Sequence, residues 1–193
     1  MNKFFSYTLA VAIATVSLAG CEKVKDATSK DIKANDVKFD FTADVVEAAE
    51  AQMSVAAVMK QTAAATNTFS KTRMVDISEL SSEEIMDYAS KISKVTANSS
   101  VIEVTVSPAG TYTIENLTFE AVGVSGSLVV PSYTTGDELT PPAGMDAYLA
   151  SFVMKLLSAK KVEVTVFGKT DAPADATVNI SYGGDLVLKA SLL

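Results

Sequence analysis

Apolar and polar residues alternate along several stretches of the chain, and a period of two marks a strand with one buried face. Val37, Phe39, Phe41, Ala43 and Val45 share one face, with Lys38, Asp40, Thr42 and Asp44 opposite. Ile102, Val104 and Val106 alternate with Glu103 and Thr105, and Val162, Val164 and Val166 alternate with Glu163 and Thr165. Val178, Ile180 and Tyr182 lead into Gly183-Gly184, and Leu186, Leu188, Ala190 and Leu192 continue beyond it. Paired glycines readily supply the positive φ angles of a tight primed turn, so this segment is predicted to be a hairpin. Between Tyr112 and Ala121 the apolar phase slips near Glu115-Asn116, which predicts a bulge or a break. One more short strand is expected over 127–132, ended by Pro131.

Two segments carry the helical period instead. Met145, Tyr148, Leu149, Phe152, Val153, Leu156 and Leu157 follow the i, i+3, i+4, i+7 rule, and Pro141-Pro142 with Gly144 isolate the start. A second helix is expected over 82–94, with Ile85, Tyr88, Ile92 and Val95 inward and Ser81 and Glu84 at capping-box spacing. The stretch 46–66 reads both ways: its alanines favour helix, while Ala49, Ala51, Met53, Val55, Ala57 and Met59 prolong the alternation before them. The alanine content tips the reading to helix. Met86-Asp87 is echoed by Met145-Asp146, and Glu103-Val104-Thr105-Val106 by Glu163-Val164-Thr165-Val166. An internal duplication and a coincidence of β-rich composition both account for these echoes. The expected fold is mostly β, an antiparallel β-sandwich or curled sheet, with two or three helices on an end or face.

The N-terminus has a different pattern. Lys3 precedes an uncharged apolar run over 4–19, and Leu18-Ala19-Gly20-Cys21 closes it. This tetrapeptide resembles the lipobox of bacterial lipoproteins, in which a Leu and two small residues precede the cysteine that receives diacylglycerol. The resemblance implies a signal peptide over 1–20, signal-peptidase recognition through Leu18, Ala19 and Gly20, and lipidation of Cys21. An uncleaved anchor helix is the competing reading, but the run sits at the bottom of the spanning range and holds Ser6, Thr8 and Thr15. Residues 21–35 read as the lipidated cysteine and a flexible polar tether, and 36–193 as a single β-rich domain. The whole pattern resembles the small β-sandwich lipoproteins of Bacteroidetes, with no named domain family attached. That resemblance implies a cell-envelope location, held by lipid at the outer membrane, with the periplasmic and surface faces both open.

Composition narrows the function classes. The chain has 16 Lys and Arg against 23 Asp and Glu; with Lys3 removed the balance becomes 15 − 23 = −8. Such a surface repels phosphate backbones, so nucleic acid is not an expected partner. There is no His, and Cys21 is the single Cys. A Ser-His or Cys-His nucleophile and a His or Cys zinc site are therefore excluded within one chain. No cofactor motif is present, and none is expected.

The remaining polar clusters have structural explanations. Gly123-Val124-Ser125-Gly126-Ser127 only superficially matches a nucleophile elbow and reads as a turn between strands. Asp171 and Asp175 lack the glycine and closing glutamate of a calcium loop, and Asp137-Glu138 reads as a solvated loop pair. Glu83-Glu84 and Lys160-Lys161 suit the first and last turns of helices. No catalytic or metal-binding residue is assigned, and the chain is not expected to be an enzyme. The leading expectation is a membrane-anchored binding, structural or adhesion module whose partner is a protein or glycan. Its contact site is expected in the long loop over 132–144, at Tyr133, Asp137, Pro141 and Pro142. The alternative is a periplasmic carrier of a lipid or other apolar ligand, which needs a cavity lined by Phe152, Met154 or Leu156.

Overall fold

The computed structural model of the chain describes residues 28–47, 67–80 and 82–192. Leu18, Ala19, Gly20, Cys21 and the ambiguous segment 48–66 lie outside the described residues. Among the described residues seven strands form one antiparallel sheet: β1 (Ser29–Val46), β2 (Asn67–Asp76), β3 (Ile92–Ser107), β4 (Thr113–Ala121), β5 (Leu128–Thr134), β6 (Lys161–Thr170) and β7 (Thr177–Ser191). Their order is β3-β7-β1-β2-β6-β4-β5. Two α-helices accompany them among the described residues, α1 (Glu83–Tyr88) and α2 (Met145–Ala159).

The sheet is curled, so side chains from strands far apart in its order meet inside. Phe119 on β4 lies 5.1 Å from Tyr182 on β7 and 6.2 Å from Phe41 on β1, ring centre to ring centre. Phe39 meets Phe152 of α2 edge-on at 5.0 Å. Every inward residue expected on β1, β3 and β6 is buried. On α2 the apolar stripe is buried too, apart from Tyr148, which is half-buried. Fully burying side chains of this size contributes about 1.5–3 kcal/mol each, and this shared core holds the curl.

Gly183-Gly184 does not turn the chain. β7 runs straight through the pair, flanked by β1 and β3, and neither glycine has a positive φ. The glycines serve close approach instead. A Cβ on Gly183 would sit 1.8 Å from the Val37 carbonyl oxygen, and one on Gly184 would sit 2.8 Å from Ser100 Cα. Opposite them both neighbours bulge, β1 between Ala34 and Val37 and β3 between Asn98 and Val101. The buried set accordingly switches parity, from Ile32 and Ala34 to Val37 and Phe39, and from Val95 and Ala97 to Ser100 and Ile102. Asp36 and Ser99 take left-handed φ values of 54° and 52° at these bulges. The Asp36 amide donates to Asp185 Oδ1 at 3.0 Å, and the Ser100 amide to Asp146 Oδ1 at 3.0 Å. The register of β3 shifts once more between Ile92 and Lys94, and a bulge on β4 between Glu115 and Thr118 is the phase slip expected there.

Several boundaries differ from expectation. β1 starts at Ser29, so residues 29–35 are strand rather than tether. Ile32 and Ala34 are buried against β7, and Lys30 bonds Glu84 at 2.6 Å and lies over the Tyr88 ring. The charges at Lys30, Asp31 and Lys33 masked this strand, and a bulge broke its alternation from the stretch after it. The helix expected over 82–94 ends at Tyr88; after a 3-10 turn, the chain enters β3 at Ile92, where pairing with β7 outweighs the helical period. Its cap is Ser82, whose Oγ accepts from the Ile85 amide at 3.4 Å. β5 extends through Pro131 to Thr134, as an edge strand tolerates a missing donor. β2 was not foreseen, because its inward row contains Lys71 and Arg73. Arg73 covers the Phe41 ring at 4.6 Å and holds Glu79 through two bonds of 2.8 and 2.9 Å. It fills the space where β1 and β2 part beyond Val45, the last position before their pairing ends.

The echoed segments are both strands but occupy different places in the sheet, β3 at one end of the order and β6 between β2 and β4. β3 pairs with β7 while β6 pairs with β4, Val104 facing Ile180 and Val164 facing Ala121. The helices do not match, with 6 residues in α1 and 15 in α2. The correspondence is one of strands only.

Gly183→Ala is expected to cost about 3 kcal/mol or more, because the Cβ overlaps backbone that cannot rotate away. Gly126→Ala, where nothing lies within 4 Å of a Cβ and φ is +78°, should cost only about 1–2 kcal/mol. Denaturant melts of the two variants measure the difference.

Candidate functional site

The residues expected to form a contact loop are not gathered by the fold. Tyr133 is in β5 opposite Ile114 and packs half-buried on the core. The exposed Asp137 donates its amide to the Thr134 carbonyl at 3.1 Å, closing a turn through Gly136. Pro141 is exposed, whereas Pro142 is half-buried and accepts from the Met145 amide at 3.3 Å as the lead-in to α2. Thr135 Oγ1 bonds the Tyr112 amide and the Gly110 carbonyl, and so pins the loop to the start of β4. The segment therefore works as a brace for the helix.

Other charged pairs are likewise occupied. Asp171 accepts from the Thr113 amide at 2.7 Å, securing the β6–β7 turn to β4. Lys161 meets Asp76 at 3.2 Å, and two bonds from Ser78 hold the Asp76 carboxyl below the usual carboxylate range. Lys160 takes a left-handed φ of 68° at the end of α2, its amide returning to the Leu156 carbonyl.

α2 is the element that arranges concave surface. It is tied to three strands: Tyr182 Oη donates to the Met145 carbonyl at 2.8 Å, Tyr148 Oη to the Phe119 carbonyl at 3.0 Å, and Asp146 accepts from Ser100 on β3. The helix thereby spans from the edge strand β3 to β4. Its inner stripe is buried, Phe152 and Leu156 included. Its flank is open and forms a groove of about 430 Å³ with β3 and the β4–β5 turn. Ala150, Ser151 and Met154 line it from the helix, Ser93, Lys94 and Val95 from β3, and Gly123, Val124 and Ser125 from the turn.

Other clefts lie on the sheet, and two of them differ sharply in polarity. A mainly apolar one of about 400 Å³ is lined by Val46, Phe69, Phe167 and Gly168, among others. A small polar one of about 100 Å³ lies beside the β7 glycines, with Asp36, Lys38, Glu103 and Asp185 around it. Lys38 bonds both Asp36 and Glu103 there, at 3.5 and 3.6 Å, and the two carboxylates raise its pKa. Among the described residues no three acidic side chains converge on a common point.

The groove beside α2 was missed at the sequence level. One signal was present: Met154 and Ala150 are apolar but fall off the buried stripe of their helix. The contributions of β3 and the glycine turn carried no local mark. Comparison with family models, curated proteins and solved structures finds no match.

Burial pushes the Tyr148 phenol up from 10.0 to about 12, and the Tyr182 phenol is also pushed up, mainly by burial. A raised folded-state pKa contributes stability in full below the unfolded value and loses it as pH rises through the folded one. Stability should therefore hold to about pH 10 and fall from there towards pH 12. In a phenolate absorbance titration these two rings should ionise last, with the unfolding transition. The double variant Tyr148→Phe, Tyr182→Phe should flatten the tyrosine part of the alkaline fall.

Proposed function

We propose that the chain is a non-catalytic binding module held at the bacterial cell envelope by lipid on Cys21, with a protein or glycan as partner. The observation that carries this reading is the coincidence of the only cysteine with Leu18-Ala19-Gly20-Cys21 at the end of an uncharged run. The fold adds a spatial consequence. The Leu192 amide bonds the Thr28 carbonyl at 2.7 Å, so the chain is held to the sheet from Thr28 on, 28 − 21 = 7 residues after the cysteine. A span of that length reaches at most about 25 Å, which keeps the domain near the bilayer. Two or three acyl chains, at about 0.8 kcal/mol per buried methylene, make such anchoring effectively permanent.

A carrier of an apolar ligand is the second reading, and the apolar cleft at Val46, Phe69 and Phe167 is the observation that favours it. Of the three residues expected to line a carrier's cavity, Phe152 and Leu156 are buried and favour the module, whereas half-buried Met154 lines the open groove of about 430 Å³ beside α2 and counts for the carrier.

Labelled fatty acid should enter the wild-type chain in bacteria and not Cys21→Ser, which should persist as unprocessed precursor. Equal labelling of the two would refute the lipid anchor. Phe152→Ala should cost about 3–5 kcal/mol in lipid-free melts, since it removes a buried ring that packs on Phe39. Ser151→Ala, on the exposed side, should cost well under 1 kcal/mol. Similar melts for both would shift the weight to the carrier.

A further inference from the structure

We infer that the groove beside α2 receives an extended, acidic segment of a partner protein, which adds as a short strand along β3 at Ser93–Val95, the stretch that borders the groove. This inference deepens the reading of the chain as a binding module and rests on it.

The topology supplies the first argument. Among the described residues β3 is one terminus of the sheet order and has β7 as its one strand partner, while α2 packs more closely along β3 than along any other strand. A strand at a sheet terminus is a template for strand addition unless it is covered. Along β3 the covering is uneven. At Ser100 the amide is taken by Asp146 of α2, and inner residues such as Val95 and Ala97 are buried. At Ser93–Val95 the strand instead borders the groove of about 430 Å³.

The lining supplies the second argument. Val95, Val124, Ala150 and Met154 offer apolar contact for alternate side chains of an incoming strand. Met154 is unbranched and polarizable, which suits it to adapt to varied residues. Gly123 has a φ of +81°, and the Lys155 side chain lies across it so closely that a Cβ there would be 2.7 Å from Cε. The turn therefore keeps its wall thin where it meets the groove.

Charge selects the partner. Among the described residues no carboxylate lines this groove, although the chain as a whole has a net charge of −7 and the polar cleft on β7 is ringed by Asp36, Glu103 and Asp185. Lys94 lines it and Lys155 stands at its turn. A segment alternating apolar residues with glutamate or aspartate matches both features, with apolar side chains towards α2 and acids towards the two lysines.

The test uses the full lipidated chain in detergent micelles and the synthetic peptide acetyl-Thr-Val-Glu-Val-Glu-Val-Thr-amide. Binding should protect the amides of β3 around Ser93–Ala97 from hydrogen exchange. N-methylation of alternate peptide amides should weaken binding by tenfold or more, because it removes the backbone donors. Reversing both charges, Lys94→Glu with Lys155→Glu, should weaken it on the order of tenfold at low salt and favour a peptide with lysines in place of the glutamates. Absence of binding at millimolar peptide, equal binding of the N-methylated peptide, or protection confined to β5 would each overturn the inference. Fatty-acid labelling of Cys21 in the same preparation separates the two readings. A labelled chain that ignores the peptide refutes the strand site and leaves the anchored module standing.

Discussion

Backbone from three strands converges at Gly183 and Gly184, and that close approach exists only because neither residue carries a Cβ. The extra residues that bulge β1 and β3 are accommodated on either side of this point. A bulge bends its strand and increases local twist. Two of them abreast on the sheet's long strands curl it, and the curl brings Phe119 of β4 against Tyr182 of β7. The cost includes left-handed backbone at Asp36 and Ser99, on the order of 1 kcal/mol or more each, offset in part by the bonds to Asp185 and Asp146.

The second bond links the bend to α2. Asp146 caps the β3 bulge from the first turn of the helix, while Tyr182, next to the glycines, bonds the Met145 carbonyl. The helix start is thus fixed by the same region that bends the sheet. Further along, Tyr148 reaches the Phe119 carbonyl and Phe152 packs on Phe39. α2 fills the gap left by a curled sheet that does not close, and its flank necessarily forms a groove with the edge strand beside it. Core, helix position and concave surface are consequences of one backbone arrangement.

Elements with undisturbed periodicity could be located from residue order. The stretch from Val37 to Val45, the outer half of β3, β6, and α2 all bury the faces their patterns indicate. The failures occur where a contact distant in sequence reverses a local preference. Gly183-Gly184 suits a turn until Val37 and Ser100 press on it from both sides. Ile92 and Val95 fit a helical stripe until β7 offers them a ladder. Lys71 and Arg73 hide β2 because Arg73 faces inward to cover Phe41 and grip Glu79. The loop with Tyr133, Asp137, Pro141 and Pro142 does expose Asp137 and Pro141; what residue order did not show is that bonds to Tyr112, Gly110 and Met145 also tie it down.

By itself the sequence determined the class of fold, the burial of the regular strands and the main helix, and the exclusion of His- or Cys-based chemistry in the folded part. Those properties depend on periodicity and composition, which are local or additive along a chain. Only the tertiary structure decided which way the sheet bends, that β1 already runs from Ser29 through the stretch read as tether, and which residues share a groove. Ser93, Gly123 and Met154 meet because a bulge, a helix cap and an unclosed sheet bring them together across the chain. Such proximity depends on pair contacts between distant residues, and no window of neighbouring residues contains them.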